Sequence, residues 1–428
     1  MISTIRLADP EVAEALEQEV LLQATTLELN AAAGLASPAV LAAQGSVFGL
    51  KTLEGYAGKR YHAGHRNADT IERLAVERAK ALFGAEHANV QPHSGVNANF
   101  AVYFAMLEPG DPILGMDLAA GGHLSHGRKG TFSGKFFRSY SYGLDPKTGR
   151  IDYDAAERTA REVNPKMIVC GASSYPRAID FDRFRRMADE TGALLLADIA
   201  HVAGLVAGGA YPSPVPHSDF VTFTSYKTLR GARGGTLLCR SRYARNIDAA
   251  VFPGVQGSMH LHHMAAKAVT FRLASTASFR AYAARVVENA RALADALSCK
   301  GYRIVTDGTD THIVLVDLQD RDVTGAEAQE RLEAGGILCN KNAVPGDPLG
   351  PDITSGLRLG TSAVTGRGFE PADMDEIAGL VHEALQAETA SKRMREIRHG
   401  VRDLCQRHPL HLDRFEAGGT LEGPLEGE

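Results

Sequence analysis

The chain has 428 residues, 44% hydrophobic and 23% charged, an ordinary globular composition with room for one large domain and one smaller one. Its net charge of −5 gives no ground for nucleic acid or an anionic membrane as main partner, and no apolar run is long enough to span a bilayer. The five cysteines lack CxxC spacing, which indicates neither a disulfide framework nor a zinc site.

Acids stand in the N-terminus where a signal peptide needs basic then apolar residues, so a cytoplasmic location is expected. Residues 9–28 read as an amphipathic helix, with Asp9 as N-cap and Pro10 at the first helical position. Residues 31–43 read as an alanine-rich loop and a short helix after Ser37-Pro38. Residues 44–68 combine five glycines, two tyrosines and two histidines without periodicity, a long loop too apolar and aromatic for disorder. Its GSVFGLKT stretch has the wrong glycine-to-lysine spacing for a phosphate-binding P-loop. Residues 70–82 read as a helix.

From about residue 85 strand, loop and helix alternate. HANVQP, PILGMD, KFFRSYSY, PKMIVCGAS, ALLLAD and DFVTFTSY read as strands; HSGVNANFAVYFAML, residues 152–163 and FDRFRRMADETG read as helices. Apolar strands alternating with helices mean βαβ units, a mainly parallel sheet covered on both faces. Ligands of such sheets sit beyond the carboxyl ends of the strands. Ser94, His123, Asp198 and Lys227 all fall there. Residues 263–298 read as a long connecting helical region, and the runs from YRIVTDG to ADMDEIAGLVHEAL as a second, α+β domain. The expected division is an N-terminal helix or arm over 1–30, a large domain over 31–275, a small domain over 276–390 and a charged tail over 391–428. The last residues, AGGTLEGPLEGE, are expected to be mobile.

The stretch SYKTLRGARGG puts Lys227 at a strand end, before a glycine-rich loop with two arginines. A lysine in a dry pocket or beside positive charge loses its proton and becomes an amine able to form an imine with an aldehyde. Arg230 and Arg233 can meet a phosphate or carboxylate in forked geometry. Alone, the stretch reads equally well as a basic turn after a core strand. Asp198 follows the apolar run ALLLA, where an unpaired carboxylate is costly. A protonated pyridine nitrogen offsets that cost; so does a structural hydrogen bond. Ser94 and Gly95 open a helix whose N-terminus suits phosphate, or is an ordinary cap. His123 can stack on a ring, and Arg358, between Leu357 and Leu359, can reach a substrate carboxylate. Pyridoxal 5′-phosphate needs all of these together. His123 with His126, and His260 with His262 and His263, look like metal pairs, but neither has an acid or cysteine at the usual zinc spacing, and no metal is expected.

EGYAGKRYHAG, NVQPHSGVNANFAVY, EPGDPILGMDLAAGGHLSHG, ADIAHVAGLVA, YKTLRGARGG, NKNAVPGDP and TSGLRLGTSAVTGRG follow one another in the order found in serine hydroxymethyltransferases. The chain resembles that family from about residue 9 to 388. The resemblance implies an α/β, aspartate-aminotransferase-like fold (PLP fold type I), with a mainly parallel large-domain sheet and a smaller α+β C-terminal domain. It implies a pyridoxal phosphate imine on Lys227 and a homodimer with active sites shared between subunits, a tetramer being left open. By matching motif, Asp198 pairs the pyridine nitrogen, His123 stacks on the ring, and Ser94, Gly95 and Gly257 of the second subunit hold phosphate, with Arg233 also at the cofactor. Ser173 and His201 contact the ring oxygen and the substrate side, Arg358 binds the carboxylate, and Glu54, with Tyr61 beside it, handles protons at the substrate hydroxyl or at folate. Asn342, Leu118, Gly122 and Leu124 match folate-contacting positions, which makes tetrahydrofolate a candidate co-substrate.

The departures lie around the substrate. The family's Ser-Glu-Asn tripeptide reads Ala32-Ala33-Gly34 here, and usual tyrosines are replaced by Thr52 and His62. Tyr226 stands for a histidine, Val96 for a serine, and PGVQGSM for PGGQGGP. The implied reaction is retro-aldol cleavage of Cα–Cβ in serine or threonine, with Lys227, Glu54, Asp198 and His201 as the catalytic set. The smaller Thr52 and Ala32 favour a specialised L-threonine transaldolase that passes the glycyl carbanion to another aldehyde, as in antibiotic-type pathways. Folate-dependent hydroxymethyl transfer with serine or 2-methylserine is the alternative.

Overall fold

The computed structural model describes residues 2–410. Its central sheet has seven strands: β1 (His87–Asn89), β2 (Pro112–Met116), β3 (Arg138–Tyr142), β4 (Met167–Gly171), β5 (Leu194–Asp198), β6 (Phe220–Thr224) and β7 (Gly235–Cys239). They lie in the order β1-β7-β6-β5-β4-β2-β3. The strands β3, β2, β4, β5 and β6 pair in parallel with one another, whereas β7 runs antiparallel to both β6 and β1. Parallel strands are covered on both faces and need unbroken apolar runs, which PILGM and MIVCG supply. Tyr142, Phe184 and Phe223 fill the core on one side, and Tyr103, Phe220 and Ile247 on the other. The covering helices are punctuated locally. Asp152 and Asp180 cap Tyr153–Val163 and Phe181–Thr191, which end at Asn164 and Gly192 in left-handed conformation.

A second sheet is antiparallel, with β8 (Arg303–Ile304), β9 (Ile313–Asp317), β10 (Asn340–Asn342) and β11 (Gly356–Gly360) in the order β8-β9-β11-β10. Its core takes in Leu293 and Leu297 from the helix Ala277–Cys299, and Leu27 and Leu29 from near the N-terminus.

Several elements differ from the sequence expectation. Residues 263–298 form two helices, Leu261–Ala274 and Ala277–Cys299, because Thr276 accepts the Phe279 amide and starts the second. KFFRSYSY is not all strand: Phe132–Phe136 is a short helix whose two phenylalanine rings stack one turn apart, and β3 begins at Arg138. The strand β7 was hidden, since GTLLC follows a glycine-rich loop. Within 44–68, Val47–Leu50 forms a 3-10 turn, and Gly55–Tyr56 pairs with Lys59–Arg60 in a hairpin. The next helix begins at Arg66, four residues before the expected start. Charge at 391 onward conceals a helix, Lys392–Arg407, whose buried Met394, Ile397, Val401 and Leu404 recur at helical spacing and join the second core. The AGGTLEGPLEGE segment lies outside the described residues. Among the described residues, no helix is long and apolar enough to cross a membrane.

Candidate active site

The strand β5 ends on Asp198, and Lys227 follows the end of β6 by three residues. A cavity of about 170 Å³ opens at these strand ends. Ser94 and Gly95 line one part, His123, Asp198 and Lys227 another, and Ser173, His201 and Arg233 the rest. Arg358, on β11, joins them from the second sheet: it donates to the Ser173 carbonyl at 2.6 Å and to Asn340 Oδ1 at 3.0 Å.

Asp198 is held from two sides. Its Oδ2 accepts from Asn99 Nδ2 at 2.7 Å and from His126 Nε2 at 3.1 Å, and its Oδ1 accepts from the Ala200 amide at 3.0 Å. Burial opposes the charge, but His126, His123 and Asn99 outweigh it and hold the carboxyl well below the usual carboxylate range. Lys227 is 7% exposed. Burial pushes its ammonium down to about 8; Asp198 opposes the shift, and Arg358 and Arg233 add to it. The amine is therefore far closer to its neutral form near pH 7 than a solvated lysine. His123, anchored through Nδ1 on Ser125 Oγ at 2.8 Å, is pushed by burial down to about 4, against the pull of Asp198. The ring is a neutral imidazole there, suited to stacking. The Arg233 guanidinium lies 4.3 Å over the Tyr226 ring.

Beside Lys227 and the strand of Arg358 runs a loop, residues 31–34, of three alanines and a glycine. His312 Nε2 donates to the Ala31 carbonyl at 3.0 Å, and a Cβ on Gly360 would run into Ala31, so residue 31 packs against β11. A Cβ on Gly34 would collide with the Lys227 carbonyl. Ala32 and Ala33 thus lie between two contacts, one to the strand of Arg358 and one to the Lys227 backbone.

Six expected site residues are not in the cavity lining: Arg358, which contacts its edge through Ser173, and five from the 52–62 and 257 segments. Glu54 is half-buried and Thr52 and His62 are exposed, with the carbonyls of Thr52 and His62 both facing the His65 ring at 2.7 and 2.9 Å. Tyr61 is 70% exposed and meets Phe252 edge-on. Gly257 has open space where a side chain would be. The segment is nevertheless tied to the cavity wall. Arg60 pairs with Asp69 and Glu72, Gln91 donates to Glu72 and to the Gly55 carbonyl, and Gln256 bridges the Gln91 carbonyl to the His93 amide.

Sequence reading missed Asn99, which links Asp198, Ser125 and Thr222. The signal was there: the second of two asparagines opening an otherwise apolar helical run, four residues after Gly95. It also missed His312, whose ring stacks on His201 with centroids 5.6 Å apart. His126 finds the acid partner that sequence spacing did not show, since ligand atoms of His123, His126 and Asp198 lie within 4.8 Å of one another.

Pyridoxal phosphate fits these residues on three counts. His201 Nδ1 is buried without a partner, as an atom awaiting a ligand's polar group would be. Among the described residues the amides of Gly95 and Val96 make no hydrogen bond, at the start of a twelve-residue helix capped by Ser94. A Cβ on Gly95 would sit 2.7 Å from Thr224 Cγ2, so the backbone itself forms that wall.

A doubly covered sheet with one reversed strand, carrying a buried lysine and an aspartate at its carboxyl ends, belongs to pyridoxal-phosphate enzymes of fold type I. The family model for serine hydroxymethyltransferase matches residues 5–381, and the chain belongs to that family. The family consists of pyridoxal-phosphate-dependent transferases of hydroxymethyl or aldol type, oligomeric, acting on small molecules and typically using tetrahydrofolate.

Proposed function

We propose that the protein is a specialised aldol-type transferase, of the L-threonine transaldolase kind, which cleaves Cα–Cβ of threonine and joins the glycyl unit to a second aldehyde. The observation that carries this reading is the 31–34 loop. It packs against both β11 and Lys227, yet offers nothing larger than a methyl group between them. Space replaces the polar group that would hold a small serine substrate. Such a site suits a bulkier donor or acceptor.

Pyridoxal phosphate, when bound, supplies the electron sink for the pair left on Cα as Cα–Cβ breaks. Lys227 Nζ is the amine that would hold the cofactor, and it is placed to be displaced by a substrate's amino group. Its low proton affinity keeps it nucleophilic near neutrality. Asp198 would hold a proton on the cofactor's ring nitrogen, and its ties to His126 and Asn99 fix the carboxylate that would do so. His123 covers the ring face, and Arg358 orients the substrate carboxylate. Glu54 takes the proton of the β-hydroxyl. A second copy of the chain brings Glu54, Thr52, Tyr61, His62 and Gly257 to the cavity, consistent with their position outside it in one chain. Exposed Val47, Leu50, Val96 and Phe104 are apolar surface for that contact.

Folate-dependent hydroxymethyl transfer is the second reading. Leu118 and Leu124 favour it, being apolar and 39% and 46% exposed on the loop that carries His123. The test supplies L-threonine with an aromatic aldehyde, and separately L-serine with tetrahydrofolate. Acetaldehyde release that rises with the added aldehyde and ignores folate is expected. Rapid folate-dependent serine turnover without threonine cleavage overturns the first reading in favour of the second.

A further inference from the structure

Lys267 lies in the helix Leu261–Ala274, 1% exposed, and nothing in the reaction calls for it. Its Nζ donates to three carbonyls: Val90 at 2.8 Å, Pro92 at 3.2 Å and Gly235 at 2.7 Å. Val90 and Pro92 belong to the segment leading from β1 to Ser94, and Gly235 is the first residue of β7. The same two segments also touch directly. Gly235 N donates to the Pro92 carbonyl at 3.0 Å, and a Cβ on Gly235 would run into the Ser94 carbonyl. Gly234, at φ +147°, leaves the space that the Lys267 stem occupies, since a Cβ there would strike it.

The charge on this ammonium lacks a counter-ion. Among the described residues no carboxylate lies within ion-pair distance, and burial pushes the group down to about 7. Three carbonyl dipoles favour its charged form but do not neutralise it, so burial alone opposes the charge and an anion nearby would favour it. The clamped segments run directly into Ser94 and Gly95, the anion cradle, whose own side chains contribute little. Ser94 Oγ is committed to Asn97, and Arg233 is stacked on Tyr226.

We propose that Lys267 is a positioning residue for the cofactor's phosphate: its ammonium clamps the two backbone segments that form the cradle and supplies the positive charge that a phosphate dianion requires. The proposal rests on the reading of Ser94–Gly95 as that cradle. A buried charge acts through a medium of low dielectric, so it attracts the dianion without touching it.

The test uses the full-length apoprotein and two probes, pyridoxal phosphate and pyridoxal, which share the ring and aldehyde and differ in the phosphate. Binding is followed by the visible absorbance of the lysine-bound ring. Wild type binds pyridoxal phosphate much more tightly than pyridoxal. K267Q, which keeps two donors without the charge, lowers affinity for pyridoxal phosphate about tenfold or more, changes that for pyridoxal less than twofold, and K267R restores most of the loss. A structural defect alone would weaken both probes together. A K267Q ratio of the two affinities equal to wild type overturns the role of Lys267 and leaves the cradle standing. A wild type that does not discriminate between the probes overturns the cradle itself. Should K267Q not fold unaided, refolding yields with each probe read the same ratio: equal rescue by both supports the proposal, and selective rescue by pyridoxal phosphate at the wild-type ratio overturns it.

Discussion

At the carboxyl ends of the central sheet, Asp198 and Lys227 are almost wholly buried, each with its charge set by named neighbours. In the 52–65 segment, Tyr61 and His62 face solvent and Glu54 is only half-buried. Both regions were expected to serve one reaction. The difference teaches that Asp198 and Lys227 find their partners within a single chain, whereas the 52–65 segment stays at the surface, where the proposed function has a second copy add to the site. Packing and a hydrogen-bond network can complete the first. Exposed apolar surface beside anchored backbone marks the second.

Lys227→Ala strikes the finished half hardest. Turnover falls by at least about a thousandfold and the visible cofactor band disappears; substantial residual rate removes the lysine from the centre. Asp198→Asn keeps the shape but loses the charge, and kcat falls about a hundredfold. Steady-state assays with cofactor saturation checked by absorbance separate weak binding from slow chemistry. The rate of cofactor uptake by apoprotein tests the electrostatics. Only the neutral Lys227 amine attacks an aldehyde, and its folded value is about 8. Uptake should rise about tenfold per pH unit below 8 and level off above it. The same shift makes the unfolded chain bind the extra proton above pH 8, so stability from this group rises with pH toward the ordinary lysine value.

The division between copies is tested by mixing. Lys227→Ala and Glu54→Gln subunits, each inactive alone, should recover about a quarter of wild-type activity when dissociated and reassociated together, because half the dimers are hybrids with one intact site. Recovery no greater than the unmixed controls would place Glu54 in its own chain's site. Gly34→Ala has the smallest effect on rate through chemistry, but it forces a methyl group into the Lys227 carbonyl. A loss of about 1–3 kcal/mol in thermal or denaturant unfolding is expected; an unchanged midpoint would mean that the loop moves freely.

Much of the first half was legible in the sequence. Asp198 and Lys227 end apolar runs, and apolar runs in alternation with helices can only make a covered parallel sheet. The site is then a matter of which residues stand at strand ends. What sequence did not show depends on partners distant along the chain. Asn99 reaches Asp198 across 99 residues, and His312 reaches Ala31 across 281. The reversed strand β7 was hidden because glycines that permit close backbone approach look like a loop. The helix Lys392–Arg407 was hidden because its charges outnumber the apolar residues on its buried face.

Gly34 bears on whether the family's Ser-Glu-Asn tripeptide could be built into this chain. A side chain at position 34 meets the main chain of Tyr226 and Lys227, which occupies the volume it would take. Anyone redesigning the pocket must therefore shift backbone before introducing the asparagine, and a library of point changes will not suffice.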